Sequence, residues 1–211
     1  MAVDPVAARA RMVAEQIRAR DVRDPRVLDA MSRVPREQFI PEPQRDEAYE
    51  DHPVPIGFGQ TISQPFIVGF MTDALRVEPS HRVLEIGTGC GYQTAVLAEL
   101  ARDVYSIELI DALARRARAT LASLGYGNVH TRTGDGHYGW PGHAPYDRIL
   151  TAAAAESVPP ALVEQLADTG LLVIPVGVWH QELQVLQKHG DRVDLLATLP
   201  VRFVPLVRGG A

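Results

Sequence analysis

The chain has almost no cysteine. One, Cys90, occurs in 211 residues. An intrachain disulfide is therefore excluded, and a reducing compartment is expected. Long apolar runs are missing as well. No run approaches the roughly 20 residues that cross a bilayer, and no apolar signal-type stretch follows the N-terminus. A cytoplasmic protein with no membrane partner is the expectation. Charge of one sign is also lacking: the net charge is −5. No global field attracts nucleic acid, and no nucleic-acid partner is expected. The N-terminal arginines (Arg9, Arg11, Arg18, Arg20, Arg23 and Arg26) are interleaved with Asp4, Glu15, Asp21, Asp24 and Asp29, as on a solvated helical face. The phosphate-binding pattern Gly-x-x-x-x-Gly-Lys-Ser/Thr does not occur, so ATPase or kinase chemistry of that type is excluded. His130, His137, His143, His180 and His189 are scattered and none pairs at helical spacing, so no metal is expected.

What is present supports a folded α/β domain. Hydrophobic residues make up 46% of the chain, enough for a sizeable core. Asp4-Pro5 and Asp24-Pro25 read as helix starts, an acidic cap before proline at the first helical position. Val6, Ala10, Val13 and Ile17 would line one face of the first helix, and Val27, Leu28 and Met31 one face of the second. From Pro35 to Gln60 periodicity gives way to prolines and glycines. The aromatic and branched residues of this loop, Phe39, Ile40, Tyr49, Val54, Ile56 and Phe58, predict that it packs on the core. A helix after Pro65 would bury Phe66, Ile67, Phe70, Met71 and Leu75. Strands are then expected near 82–86, 103–108, 129–133, 146–151 and 171–175, with helices near 91–101, 110–124 and 159–167. Such alternation implies a doubly wound, mostly parallel sheet. Glu182–Lys188 and Val193–Leu199 flank His189-Gly190-Asp191 as an antiparallel hairpin, and Val201–Val207 reads as a last strand.

Three polar features fall at the carboxyl ends of successive strands, where open α/β sheets bind ligands. The first is Glu85-Ile86-Gly87-Thr88-Gly89-Cys90-Gly91. A dinucleotide fingerprint requires its third glycine at position 92, which is Tyr92; here it comes one residue early. That register resembles the first motif of Rossmann-like methyltransferases that use S-adenosylmethionine. The second is Glu108, nineteen residues after Gly89, an acceptor suited to a ribose diol. The third is Gly134-Asp135-Gly136, whose carboxylate suits an adenine amino group, although Asp135 could equally bond its own turn. The fourth strand ends in small residues, Thr151-Ala152-Ala153-Ala154, where enzymes that methylate base amino groups carry an Asn/Asp-Pro-Pro-aromatic box.

From about Met12 to Arg208 the chain resembles the protein-L-isoaspartate (D-aspartate) O-methyltransferases. The resemblance is carried by Val34-Pro35-Arg36-Glu37-Gln38-Phe39, by Gly59-Gln60-Thr61-Ile62-Ser63-Gln64-Pro65, by the glycine run, and by Arg202-Phe203-Val204-Pro205-Leu206. Cys90 departs from the serine usual at its position. The resemblance implies a Rossmann-like methyltransferase sheet, with N-terminal helices and an antiparallel C-terminal hairpin, acting on isoaspartyl proteins and peptides as a protein-repair enzyme. It implies one domain: residues 1–78 cover the site, 79–178 bind the cofactor, and 179–211 add the last strands. It assigns catalysis to Ser63, cofactor binding to Glu85, Gly87, Gly89, Glu108, Asp135 and Gly136, and substrate binding to Ile62, Ser63, Val204 and Leu206. The expected form is a monomer. Two alternatives stay open: the local sequence alone favours Ser63 as an N-cap for the following helix, a reading that the resemblance reverses, and a related enzyme could methylate RNA or a small molecule.

Overall fold

The computed structural model describes residues 4–209. Both acidic helix starts form. Asp4 accepts from the Val6 N–H at 3.0 Å and opens α1 (Pro5–Arg11); Asp24 accepts from the Arg26 N–H at 2.8 Å and opens α2 (Pro25–Arg33). The apolar face after α1 differs from the expected one. Val6 and Ala10 are exposed, whereas Ala8, Met12, Val13 and Ile17 are buried. The cause is a π-helical turn, Met12–Ile17, that follows α1 directly. Its wider repeat rotates the stripe away from the 3.6-residue spacing.

The proline-rich segment after α2 packs as expected, with Phe39, Ile40, Val54 and Ile56 in the core. Two 3-10 turns, Arg36–Phe39 and Glu42–Glu47, lead into a short antiparallel hairpin of β1 (Val54–Gly57) and β2 (Gln60–Ile62). Phe58 is the exception: it stands at the hairpin tip with φ +55° and is exposed. α3 (Pro65–Leu75) buries Val68, Met71, Thr72 and Leu75, and leaves Phe66, Ile67 and Phe70 half-buried at its flank. Gly69 lets it approach the π turn, since a Cβ there would lie 2.8 Å from Ile17 Cγ2.

Alternation then sets in. β3 (Arg82–Ile86), α4 (Tyr92–Ala98), β4 (Asp103–Glu108), α5 (Asp111–Ser123), β5 (Val129–Thr133) and β6 (Tyr146–Thr151) follow in order. α6 (Pro160–Gln165) is shorter than expected. Leu166 leaves it to pair with Tyr146, so β7 (Leu166–Val176) starts five residues early. β8 (Gln181–His189) and β9 (Arg192–Val201) close the sheet as an antiparallel hairpin through Gly190 at φ +57°.

The seven strands run β5-β4-β3-β6-β7-β8-β9, parallel from β5 to β7. Strand order reverses at β3, with β4 on one side and β6 on the other. That reversal opens a crevice at the carboxyl ends of the central strands. β3 and β4 are buried along nearly their whole length, so an apolar floor supports the crevice. The expected strand over 201–207 does not form. After Val201 the chain leaves the sheet edge and crosses the strand ends as a strap. The Ala154 N–H donates to Val204 O at 2.8 Å and the Leu206 N–H to Ala154 O at 2.7 Å. Pro205, between them, has no N–H with which to extend a ladder. Among the described residues no helix is long and apolar enough to cross a membrane.

Candidate active site

The crevice is a cleft with three walls. Its floor is the glycine turn after β3. Gly87, Gly89 and Gly91 have φ of +91°, +56° and +94°, which side chains with a Cβ rarely adopt. One side is formed by Ile107, Glu108, Leu109 and Ile110 at the end of β4, and by Gly134 and Gly136 beyond β5. The roof combines Ile62 and Ser63, after β2, with Val204–Val207 of the strap.

Glu108 ties floor to wall. Its carboxylate accepts from the Gly89 N–H at 2.7 Å and from the Ile110 N–H at 2.9 Å. Each oxygen keeps lone-pair capacity for a further donor, and the residue lines the cleft. A carboxylate beside the apolar Ile86, Ile107 and Ile110 suits a polar sugar joined to a flat ring.

Glu85 stands elsewhere than the resemblance suggested. It is fully buried behind the turn and is not part of the cleft wall. One oxygen accepts from Thr94 Oγ1 at 2.5 Å and Ser106 Oγ at 2.6 Å; the other has no partner among the described residues. Burial pushes its carboxyl up to about 7, against the opposing pull of Ser106 and Thr94. Thr88 joins through Ser106 at 2.6 Å. The group braces β3, β4 and the turn from behind.

Asp135 is also set back. Its neighbours Gly134 and Gly136 line the cleft, while its carboxylate accepts from the His137 N–H at 2.9 Å, His137 Nδ1 at 2.8 Å and the Gly209 N–H at 3.1 Å. Burial pushes this carboxyl up, but the bonds from His137 and Gly209 outweigh it and hold it below the usual range. The turn-bonding alternative is thus realised, with the strap as an added donor. Gly136 is required by space: a Cβ there would lie 2.2 Å from Ile86 Cγ2.

Ser63 faces the cleft one residue before the helix cap. The cap of α3 is Gln64, and no side chain caps the helix, so Ser63 has no capping role. Its carbonyl accepts from Arg36 Nη2 at 2.7 Å. Cys90 is buried at the cleft floor, and burial raises its thiol. A raised thiol is a poor nucleophile at neutral pH. Among the described residues no three His, Cys, Asp or Glu side chains gather as a metal site.

Sequence reasoning missed Thr94 and Ser106 as the partners of Glu85, and Gly209 as a partner of Asp135. The first pair left a signal: polar residues inside the otherwise apolar β3, α4 and β4 must find one another when buried.

Residues 7–211 match the family described as protein-L-isoaspartate(D-aspartate) O-methyltransferase. A protein-L-isoaspartate O-methyltransferase of Synechococcus sp. is 54% identical over 215 residues, covering 98% of this chain and 88% of the relative. One of Opitutus terrae is 55% identical, covering 95% and 87%. A solved protein-L-isoaspartate O-methyltransferase superposes with a TM-score of 0.86 at 27% identity, covering 93% of this chain and 65% of that one. A Plasmodium falciparum structure described as such a methyltransferase, in complex with S-adenosyl-L-homocysteine, gives 0.81 at 25% identity, covering 95% and 98%.

Proposed function

From a chain that belongs to the protein-L-isoaspartate(D-aspartate) O-methyltransferase family, we infer a protein-repair enzyme. It methylates the free α-carboxylate of L-isoaspartyl residues, and more slowly of D-aspartyl residues, in damaged proteins and peptides. The products are the methyl ester and S-adenosylhomocysteine. The observation that carries this reading is the near-full-length relationship to enzymes of that name, together with a single cleft that joins the glycine turn to Ser63.

The residues fit S-adenosylmethionine. Glu108 offers acceptors for a ribose diol, Gly87, Gly89 and Gly136 leave room for close approach, and Ile86, Ile107 and Ile110 flank a flat base. Asp135, set back behind Gly134 and Gly136, would reach an adenine amino group only through the oxygen whose one donor is Gly209. Glu85 acts at second hand, by fixing the turn. When bound, S-adenosylmethionine supplies a methyl group already activated on a sulfonium.

The chain itself then has little chemistry to perform. The acceptor carboxylate, with a reference pKa of about 4, is ionised at neutral pH and needs no general base. The acceptor oxygen would take the methyl group with loss of its charge, so no residue of this chain has to move a proton. Ser63 donates its hydroxyl to the acceptor carboxylate and fixes the attacking oxygen. Ile62, Val204 and Leu206 flank the acceptor and exclude water. Such positioning supplies roughly 7–11 kcal/mol of a barrier.

We assign one domain: residues 1–78 cover the site, 79–178 hold the cofactor, and 179–211 complete the sheet and roof, with 1–3 and 210–211 lying outside the described residues. The enzyme is a cytoplasmic monomer with no nucleic-acid partner. A methanol-release assay with an isoaspartyl peptide and its aspartyl twin tests the function. Turnover of the first alone is expected; turnover of neither removes the reading.

A further inference from the structure

Arg36 is the largest of the fully buried side chains, with no exposed surface. A buried guanidinium is ordinarily matched by a buried carboxylate, because an unpaired charge away from water is costly. Arg36 takes part in none of the ion pairs formed among the described residues. It donates instead to two neutral carbonyls, Ala48 O through Nε and Ser63 O through Nη2, each at 2.7 Å. Its carbon Cζ sits 4.8 Å from the centre of the Tyr92 ring. Among the described residues Nη1 has no hydrogen-bond partner, and neither does the buried Tyr92 hydroxyl beside it. Burial raises both the Tyr92 hydroxyl and the Cys90 thiol, so the neighbours stay neutral at pH 7.

This unmatched cation lies directly behind the cleft. Ser63 and Tyr92, both in contact with Arg36, are cleft-wall residues. We propose that Arg36 is a positioning residue for the acceptor: it holds the Ser63 backbone in place, and its charge is the counterpart of the carboxylate that the substrate brings. The proposal rests on the carboxyl-methylation reading above. It explains why the cation has no ion-pair partner among the described residues, since a resident carboxylate there would repel the substrate.

The charge also dictates which step benefits. The acceptor is fully anionic when it binds and becomes neutral as the methyl group arrives. A fixed cation therefore favours the bound substrate over the transition state, and its loss should appear in KM rather than kcat.

The test measures binding of an isoaspartyl peptide and of its isoasparagine twin, in which the carboxylate is a neutral amide, to the protein saturated with S-adenosylhomocysteine. Wild type is expected to prefer the carboxylate by at least about tenfold, the scale of one charge pair at an intermediate dielectric. In Arg36→Gln the preference should fall toward one and the peptide KM should rise about tenfold, whereas any fall in kcat reports the separate loss of the Nη2 bond to Ser63. Arg36→Lys should keep most of the preference. A role limited to packing would weaken both twins equally. Equal binding of the twins by wild type, or an undiminished preference in a folded Arg36→Gln, overturns the proposal. Should Arg36→Gln fail to fold, Arg36→Lys decides: loss of the preference despite the retained charge overturns it, and retention supports it. Methyl transfer by wild type in parallel separates the two ideas, because its absence removes the function and its presence with an unchanged preference removes only Arg36.

Discussion

At the scale of single residues, the site divides into groups that face the cleft and groups that hold those in place. Ser63 faces it, makes no helix cap and is only half-buried. Ser63→Ala should therefore lower turnover by at least ~100-fold, a small misalignment being enough, while stability changes by no more than about 0.5 kcal/mol. Methanol release and thermal unfolding on one preparation check both; a cap lost instead of a catalytic contact would reverse the pattern. Glu85 makes a prediction of opposite kind. Its carboxyl is raised by burial to about 7, so the folded state holds a proton that the unfolded state has released. Its contribution to stability is complete below the ordinary carboxylate range and is lost as pH climbs toward 7. Between pH 5 and 8 wild type should lose ~2 kcal/mol relative to Glu85→Gln, read from denaturant curves at the two pH values. A parallel pH course would show that Glu85 stays ionised. The partners of Glu85, 9 and 21 residues away, showed only as polar residues in apolar elements, and the donor to Asp135 that lies 74 residues away left no signal.

Elements tell more plainly which parts a sequence exposes. β3, β4 and β6 lie where short, mostly apolar runs between turn residues put them, since burial in the middle of the sheet favours apolar side chains; β5, at the sheet edge, is only partly buried and carries no such run. The stripe of α1 was not legible, because the π turn over Met12–Ile17 left no mark in the apolar spacing; Ile17 at its end packs closely on Gly69. Val201–Val207 has the composition of a strand yet forms a strap, for the competing partner is Ala154, 50 residues earlier in the chain. A close contact between elements falls at Gly136, where the chain after β5 turns over the end of β3. Gly136→Ala should cost about 1–3 kcal/mol through the clash with Ile86, and should weaken S-adenosylhomocysteine binding at least tenfold. Calorimetric titration and a melting curve give both numbers; wild-type affinity would mean that the cofactor does not pass this corner.

For the whole molecule, the cleft is roofed by segments from opposite ends of the chain, the hairpin exit at Ile62–Ser63 and the strap at Val204–Val207. Arg36 holds the first through Ser63 O, and Ala154 and Asp135 hold the second through Leu206 and Gly209. Few bonds restrain each roof, so both should open more readily than the sheet beneath. Hydrogen exchange is expected to slow in residues 48–64 and 203–209 when S-adenosylhomocysteine and an isoaspartyl peptide bind, with β3 and β4 already protected without them. Unchanged exchange in both segments would mean that they do not close over the ligands. That the lid is assembled from two distant stretches explains why the motifs naming the acceptor lie far from those naming the methyl donor.

Cys90 gives this arrangement a built-in witness. The one thiol in the chain lies on the cleft floor, buried beneath whatever occupies it. An alkylating dye can reach that sulfur only when the roof lifts or the fold breathes. A single attachment per molecule would then count openings, and the tally would slow whenever methyl donor or its spent form is seated above.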